Sequence, residues 1–207
     1  MAPRIPRTLP LAELPADLPA GGESFSHLEY RRLELADRTL SRVHFETILM
    51  SQVNATRSQM AYLRMEDVRW SGCTLANAHW PNLECARAEW TGCQMTGFAT
   101  QESLLLNCAF RECRIDLAQF YESALRGARF EDCLLTGVDF RKTDLTGATF
   151  VRCDLANADF TGAILAGADL RGCPIDGMRA GPVELCGARV DSVQALALIR
   201  AMGITVD

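Results

Sequence analysis

Nine cysteines are the residues of this chain with the widest chemistry open to them. As thiolates they could bind a metal, attack an electrophile or pair in disulfides. Their spacing argues against each of these. No C-x-x-C pair occurs, so zinc-ribbon and thioredoxin-type sites are not expected. The count is odd, and the first 20 residues hold no apolar core of the kind a secretory signal needs, so a disulfide framework is not expected either. What does occur is a period: Cys73, Cys93, Cys113, Cys133, Cys153 and Cys173 lie 20 residues apart. A fixed period of that length signals stacked structural repeats. Other catalytic candidates are few. His27, His44 and His79 are the only histidines, and there is no nucleophile elbow, H-E-x-x-H, P-loop or G-x-G-x-x-G. No enzyme, cofactor or metal site is expected.

The elements that position these cysteines follow from a second, shorter period. Of the 34 positions from Phe25 to Val190 whose numbers are multiples of five, 30 carry Leu, Phe, Met, Trp, Ile, Val or Tyr. The exceptions are Ala55, Cys85, Thr100 and Ala180. Two residues before each lies a small position, and from Ser103 to Cys173 all fifteen of these are Ala, Cys, Ser, Thr or Val. Runs such as Ala148-Thr149-Phe150, Cys153-Asp154-Leu155 and Ala158-Asp159-Phe160 show the unit: small, polar, large, then two variable residues, the second often Gly. At Val53/Ala55, Leu83/Cys85 and Phe98/Thr100 the large and small positions are exchanged, which keeps the summed volume similar. Five residues turn an α-helix by about 500°, so no helix can keep this set on one face.

The pattern resembles the pentapeptide-repeat family over about 165 residues. The fold this implies is an all-β solenoid, a right-handed quadrilateral β-helix of about eight coils. Each pentapeptide forms one side, four sides make a coil, and the large and small positions both point inward. Residues 20 apart then stack. Phe110, Phe130 and Phe150 form a column on one wall, and Phe120, Phe140 and Phe160 form another opposite it. The six periodic cysteines become compact fillers of one buried slot, where an apolar setting opposes ionisation. Asp139, Asp144, Asp154, Asp159 and Asp169 fall at the polar position, where Asp commonly serves turn hydrogen bonds.

The two ends depart from the repeat. Residues 1–24 are Pro-rich and read as an extended arm, with Leu11, Leu14 and Leu18 available to pack on the first coil. Residues 25–190 form the solenoid, and residues 191–207 read as a capping or dimerisation segment. There Asp191 or Ser192 can N-cap a short α-helix, Gly203 can end it, and Ala195, Leu198, Ile199 and Met202 make one apolar stripe. The segment G-A-R-V-D-x-x-Q-A followed by G-I-x-V is similar to the C-terminus of the quinolone-resistance pentapeptide proteins, including the mycobacterial type without projecting loops. That resemblance implies a homodimer joined tip to tip, with Leu198, Met202, Ile204 and Val206 at the interface.

Composition bounds the function. The chain has 207 residues, 48% hydrophobic and 23% charged, with a formal net charge of -5. This excludes a wholly disordered chain and a strongly basic nucleic-acid binder. No run of 18 apolar residues occurs, so no membrane partner is expected and the cytoplasm is the expected compartment. Over residues 31–190, sorted by wall, Arg31, Arg32, Arg69, Arg111, Arg129, Arg152, Arg171 and Arg189 lie together against five acids. Glu46, Glu66, Asp67, Glu84, Asp144 and Glu184 share another wall with three arginines. The resemblance implies a DNA-mimicking protein that occupies the DNA-binding saddle of DNA gyrase and modulates it or protects it from quinolones or toxins. Glu66, Asp67, Glu84 and Asp144 are then the partner-binding acids. The alternative is a scaffold solenoid with a different protein partner.

Overall fold

A computed structural model describes residues 2–6, 8–12, 21–201 and 203–205. Parallel pairing joins each residue to the one 20 further on, along four ladders offset by five residues. The first wall runs from Glu29 through Leu49, Arg69, Glu89, Ala109, Arg129, Thr149 and Asp169 to Arg189. The second runs from Glu34 to Asp154, the third from Thr39 to Arg179, and the fourth from Ser24 to Ile164. This is the four-sided parallel solenoid that the resemblance implies. Strands of three residues or more extend from Ser24 to Val151, about six turns, and single bridge pairs carry the ladder on to Arg189. The expected count of about eight coils is thus six turns with strands plus a looser stretch built of corners. At the strand spacing of about 4.8 Å, the eight intervals of the first wall give a rod of about 38 Å.

The second variable residue of each unit has a reason for favouring glycine. Nearly every such residue from His27 to Gly177 has positive φ, between 50° and 74°. Each side ends by passing through the left-handed region, which costs an L-residue roughly 1–2 kcal/mol and glycine nothing. Backbone bonds such as Ala148 N to Leu145 O (2.9 Å) close turns around several of these corners.

The interior is an apolar column of near-zero exposure from Tyr30 to Leu170. Trp90, Phe110, Phe130 and Phe150 stack face to face at 4.7, 4.8 and 5.0 Å, with interplanar angles of 7° or less. On the opposite wall Phe120, Phe140 and Phe160 stack at 5.3 and 5.2 Å. Edge-to-face contacts such as Phe130–Phe140 (6.1 Å, 70°) join the two columns across the rod. Such pairs add about 0.5–1.5 kcal/mol each beyond area burial. The exchanged unit fits the same plan. Phe98 stands edge-on to Trp80 at 5.4 Å and lies 6.3 Å from Phe120, which fills the gap that Thr100 leaves. The Thr100 hydroxyl donates to Trp80 O at 2.8 Å.

The cysteine slot does more than fill space. Cys93, Cys113 and Cys133 each donate through Sγ to the carbonyl of the inward residue one coil below, Trp70, Trp90 and Phe110, at 3.4–3.6 Å. Thr143 makes the same link to Phe120 O at 2.8 Å. Hydrogen bonding to Cys113 pushes the Cys133 thiol up to about 12, Cys153 opposes the shift and burial adds to it. A thiol so placed stays protonated and donates. At the lower end of the Phe110 stack, Trp90 Nε1 is buried with no hydrogen-bond partner.

Two substitutions test this packing by chemical denaturation. Phe140→Ala is expected to cost about 3–5 kcal/mol, as core Phe truncations do. Trp90→Phe removes a buried donor whose desolvation costs about 1–3 kcal/mol and continues the phenylalanine stack, so its stability should stay within about 1 kcal/mol of the parent. A larger loss for Trp90→Phe than for Phe140→Ala would contradict the stacking account.

Candidate interaction surface

The four acids singled out on the fourth wall are not free carboxylates. Asp67 takes two hydrogen bonds from Arg87, at 2.9 and 2.7 Å, and a third from the Arg4 backbone N–H at 2.8 Å. Its residue is only 8% exposed. The Arg87 hydrogen bonds hold its carboxyl below the ordinary range against the opposing effect of burial. Glu66 pairs with the same Arg87, and Glu84 pairs with Arg64. Asp144 pairs with Arg126 at 2.5 Å and accepts from the Thr146 hydroxyl and N–H. Burial would raise the Asp144 carboxyl, but these partners hold it below the ordinary range.

Nor do the four acids make one stripe. Between Glu84 and Asp144 the ladder passes through Leu104 and Ala124. Leu104 is 42% exposed. A shallow groove of about 130 Å³ lies here, with Arg64, Glu66, Glu84, Leu104 and Leu106 on its walls. The expected acidic surface is therefore a mixed surface: two ion-paired clusters with an apolar step between them.

The arginine wall shows the same compensation. Glu89 bridges Arg69 (3.1 Å) and Arg111 (2.9 Å), and Arg111 continues to Glu131 (2.6 Å), which also meets Arg129 and Arg152. Arg171 holds the Asp169 carboxyl down at about 2. The signal for these pairs was present in the sequence. Arg64/Glu84, Asp67/Arg87, Arg69/Glu89, Glu122/Lys142 and Asp132/Arg152 all stand 20 residues apart, directly over one another. Sorting charges by wall gives the sign of each face and hides its pairing.

The C-terminal segment forms the expected helix, Ser192–Ala201. Asp191 is its cap: Oδ1 accepts from the N–H groups of Val193 and Gln194, each at 2.9 Å. Gln194 returns the bond, its Oε1 accepting from Asp191 N at 2.9 Å. This is a reciprocal capping box, legible in D-S-V-Q but not read there. Gln194 Nε2 also donates to Leu170 O (2.7 Å) and Cys173 O (2.8 Å), fastening the helix to the last regular coil. Gly203, at φ 80°, ends the helix as expected, with Gly203 N to Arg200 O and Ile204 N to Ile199 O closing a Schellman motif.

The helix does not seal the tip. Leu185, Ala188 and Val190 are half-buried, and with Ala195, Leu198 and Ile199 they line an open hollow of about 200 Å³. On the same C-terminal stretch Val183, Val193 and Ile204 stand 84%, 77% and 54% exposed. Met202 and Val206, the other expected interface residues, lie outside the described residues, as do Leu14 and Leu18 of the arm. Leu11 pairs by its backbone with Glu29 and leaves its side chain 65% exposed; Ala12, not Leu11, packs on the core.

Among the described residues no group of three or more His, Cys, Asp or Glu side chains could hold a metal ion. No helix among them is long and apolar enough to cross a membrane.

Comparison with known proteins agrees with the geometry. Residues 83–160 match the family model described as a pentapeptide repeat region. The match lies within the solenoid, whose register runs beyond the matched residues in both directions. No curated protein matches it. Among solved structures it is similar to HetL, a pentapeptide repeat protein involved in heterocyst differentiation regulation in the cyanobacterium Nostoc sp. strain PCC 7120. That likeness has 19% identity over 83% of this chain and 91% of HetL, with a TM-score of 0.50, and it shows the fold. A pentapeptide repeat protein of the Arabidopsis thaliana thylakoid lumen matches at 26% identity over 52% of this chain and 75% of its own, TM-score 0.49. QnrB1, a plasmid-mediated fluoroquinolone resistance protein, matches at 17% over 90% and 100%, TM-score 0.40.

Gln194→Ala is expected to leave the Leu170 and Cys173 carbonyls unpaired and to break the capping box. The cost should be about 1–3 kcal/mol in denaturant unfolding. Amide exchange should accelerate first in the C-terminal helix, and equal acceleration throughout the rod would refute the clasp.

Proposed function

We propose that this chain is a rigid interaction rod that works by binding other proteins, and that two copies associate tip to tip. The observation that carries this reading is the uncovered apolar tip. From Tyr30 to Leu170 the interior is closed to water, whereas at the C-terminal end Leu185, Leu198 and Ile199 line an open hollow, and Val193 and Ile204 of the same segment are exposed. Exposed apolar clusters of this kind mark association sites. A tip-to-tip pair would make a rod of about 75 Å from two of about 38 Å.

A second reading makes the partner a type II topoisomerase such as DNA gyrase, with the rod standing in for duplex DNA. The rod form favours it, while the small net charge of -5 and the arginine wall count against it. The pairing of Glu66, Asp67, Glu84 and Asp144 with arginines favours a scaffold with a different protein partner, because paired carboxylates project little field beyond a Debye length of about 8–10 Å.

Light scattering tests the tip. The parent is expected to be a dimer at about 20 μM, in the range where micromolar affinities are populated, and the double variant Leu198→Asp/Ile204→Asp a folded monomer. A parent that is monomeric there removes the association. A gyrase supercoiling assay, with and without a quinolone, tests the second reading. Inhibition or drug protection at micromolar protein, weakened by Asp144→Arg and by salt, is expected if mimicry operates. No effect at a large excess over the enzyme leaves the interaction rod without gyrase as its partner.

A further inference from the structure

The edge between the fourth and first walls is already occupied, and by the chain itself. Residues 10–12 lie beneath the first wall: Glu29 N donates to Pro10 O at 2.9 Å and Ala12 N to Glu29 O at 2.8 Å. From there the N-terminal residues rise along the rod. The Arg4 N–H reaches Asp67, two coils above Glu29. Ala2 and Pro3 lie over a cleft of about 110 Å³ whose other walls include Glu89, Asn107, Ala109, Gly127 and Arg129. The climb from the rung of Glu29 to that of Arg129 is five intervals, about 24 Å at 4.8 Å each. Nine residues at about 3.3 Å each can span it in extended form.

The corner residues of this edge make it a channel. They run Thr47, Asp67, Arg87, Asn107, Gly127, Gly147, Gly167 and Gly187. A Cβ at Gly147 would meet nothing within 4 Å, so the floor above the arm is open. The other three edges interrupt their glycines with larger residues: Glu112, Asp132 and Arg152 on one, Leu117 and Asn157 on the next, Glu122 and Lys142 on the last. Among the described residues, the arm-bearing edge alone joins a buried carboxylate, already accepting from a main-chain N–H, to a glycine floor.

We propose that this edge is a docking groove for an extended, proline-containing segment of a partner protein, and that residues 2–6 occupy its lower half as an internal competitor. The recognition chemistry lies along this edge. Asp67 Oδ1 takes a main-chain N–H, Arg87 fixes that carboxylate, the cleft between Glu89 and Arg129 takes a small or prolyl residue, and the glycine floor admits backbone at close approach. Proline suits such a strand because its φ is fixed and little order is lost on docking. The inference rests on the interaction reading above and names its site and its regulation: a partner segment must displace the arm.

The test uses a fluorescent peptide with the sequence of residues 2–12, titrated against the full chain. Arg4→Pro removes the N–H that Asp67 accepts and so weakens the internal competitor. A tethered competitor acts at an effective concentration of about millimolar, so its loss should tighten peptide binding at least about tenfold. Asp67→Ala should abolish binding while circular dichroism and thermal melting show a folded rod. In the parent, exchange of the Arg4 amide should be slow and become fast in Asp67→Ala. Free-rate exchange of the Arg4 amide in the parent would overturn the docking. A slow Arg4 amide with no peptide binding to Arg4→Pro would overturn the partner groove, since the edge would then hold the arm alone. A concentration-dependent dimer of the parent that Asp67→Ala removes would make the occupant a second copy, not a separate partner. These readouts do not involve gyrase or the tip, so their failure is distinct from failure of the interaction reading.

Discussion

Everything in this molecule follows from the parallel pairing of residue i with residue i+20. A backbone ladder of that kind places identical positions of successive coils directly above one another at about 4.8 Å. Aromatic rings are then forced into register, and the nearly coplanar stack of Trp90, Phe110, Phe130 and Phe150 is the result. The same register sets thiol above thiol and charge above charge. On one wall the stacked charges alternate in sign, as Arg69, Glu89, Arg111 and Glu131 do.

The ladder also explains the tolerance of the fold. An exchanged unit keeps its rung as long as one ring still reaches the column, and Phe98 does this from the small position. The small inward slot accepts Cys, Thr or Ser because each bonds to the backbone of the coil below: Cys113 and Thr143 donate to its carbonyls, and the Ser103 and Ser123 hydroxyls accept from its N–H groups. Polar atoms without such a partner are rare in the interior. The indoles of Trp70 and Trp90 and the imidazole of His44 carry the exceptions among the described residues.

Ends and edges are where the repeat stops dictating the outcome. At the C-terminal tip the helix is fastened through Gln194 to the carbonyls of the last regular coil, yet a hollow stays open beside it. At the lower end the arm supplies an extra rung and then turns up the rod. Both features put sequence-specific contacts on a scaffold that is otherwise uniform, and such sites are where a solenoid differs from its neighbours.

The architecture was legible in the sequence, because a period of five that never slips excludes an amphipathic helix and carries the resemblance to the pentapeptide repeat that implies the four-sided solenoid. The sequence also determined the aromatic columns, the cysteine slot, the exchanged unit at Phe98 and the helix ended by Gly203. These depend on local register, and local register is written in the chain. The availability of the surface acids was decided only in three dimensions. Glu66, Asp67, Glu84 and Asp144 share a wall as their numbering requires, but whether each is free depends on side chains 18 to 21 residues away and, for Asp67, on Arg4 at 63 residues' distance. The path of the N-terminal arm belongs to the same class. Its residues carry no period, so nothing in their order says which of four edges they follow; the buried carboxylate of Asp67 and the glycine floor above it make that choice.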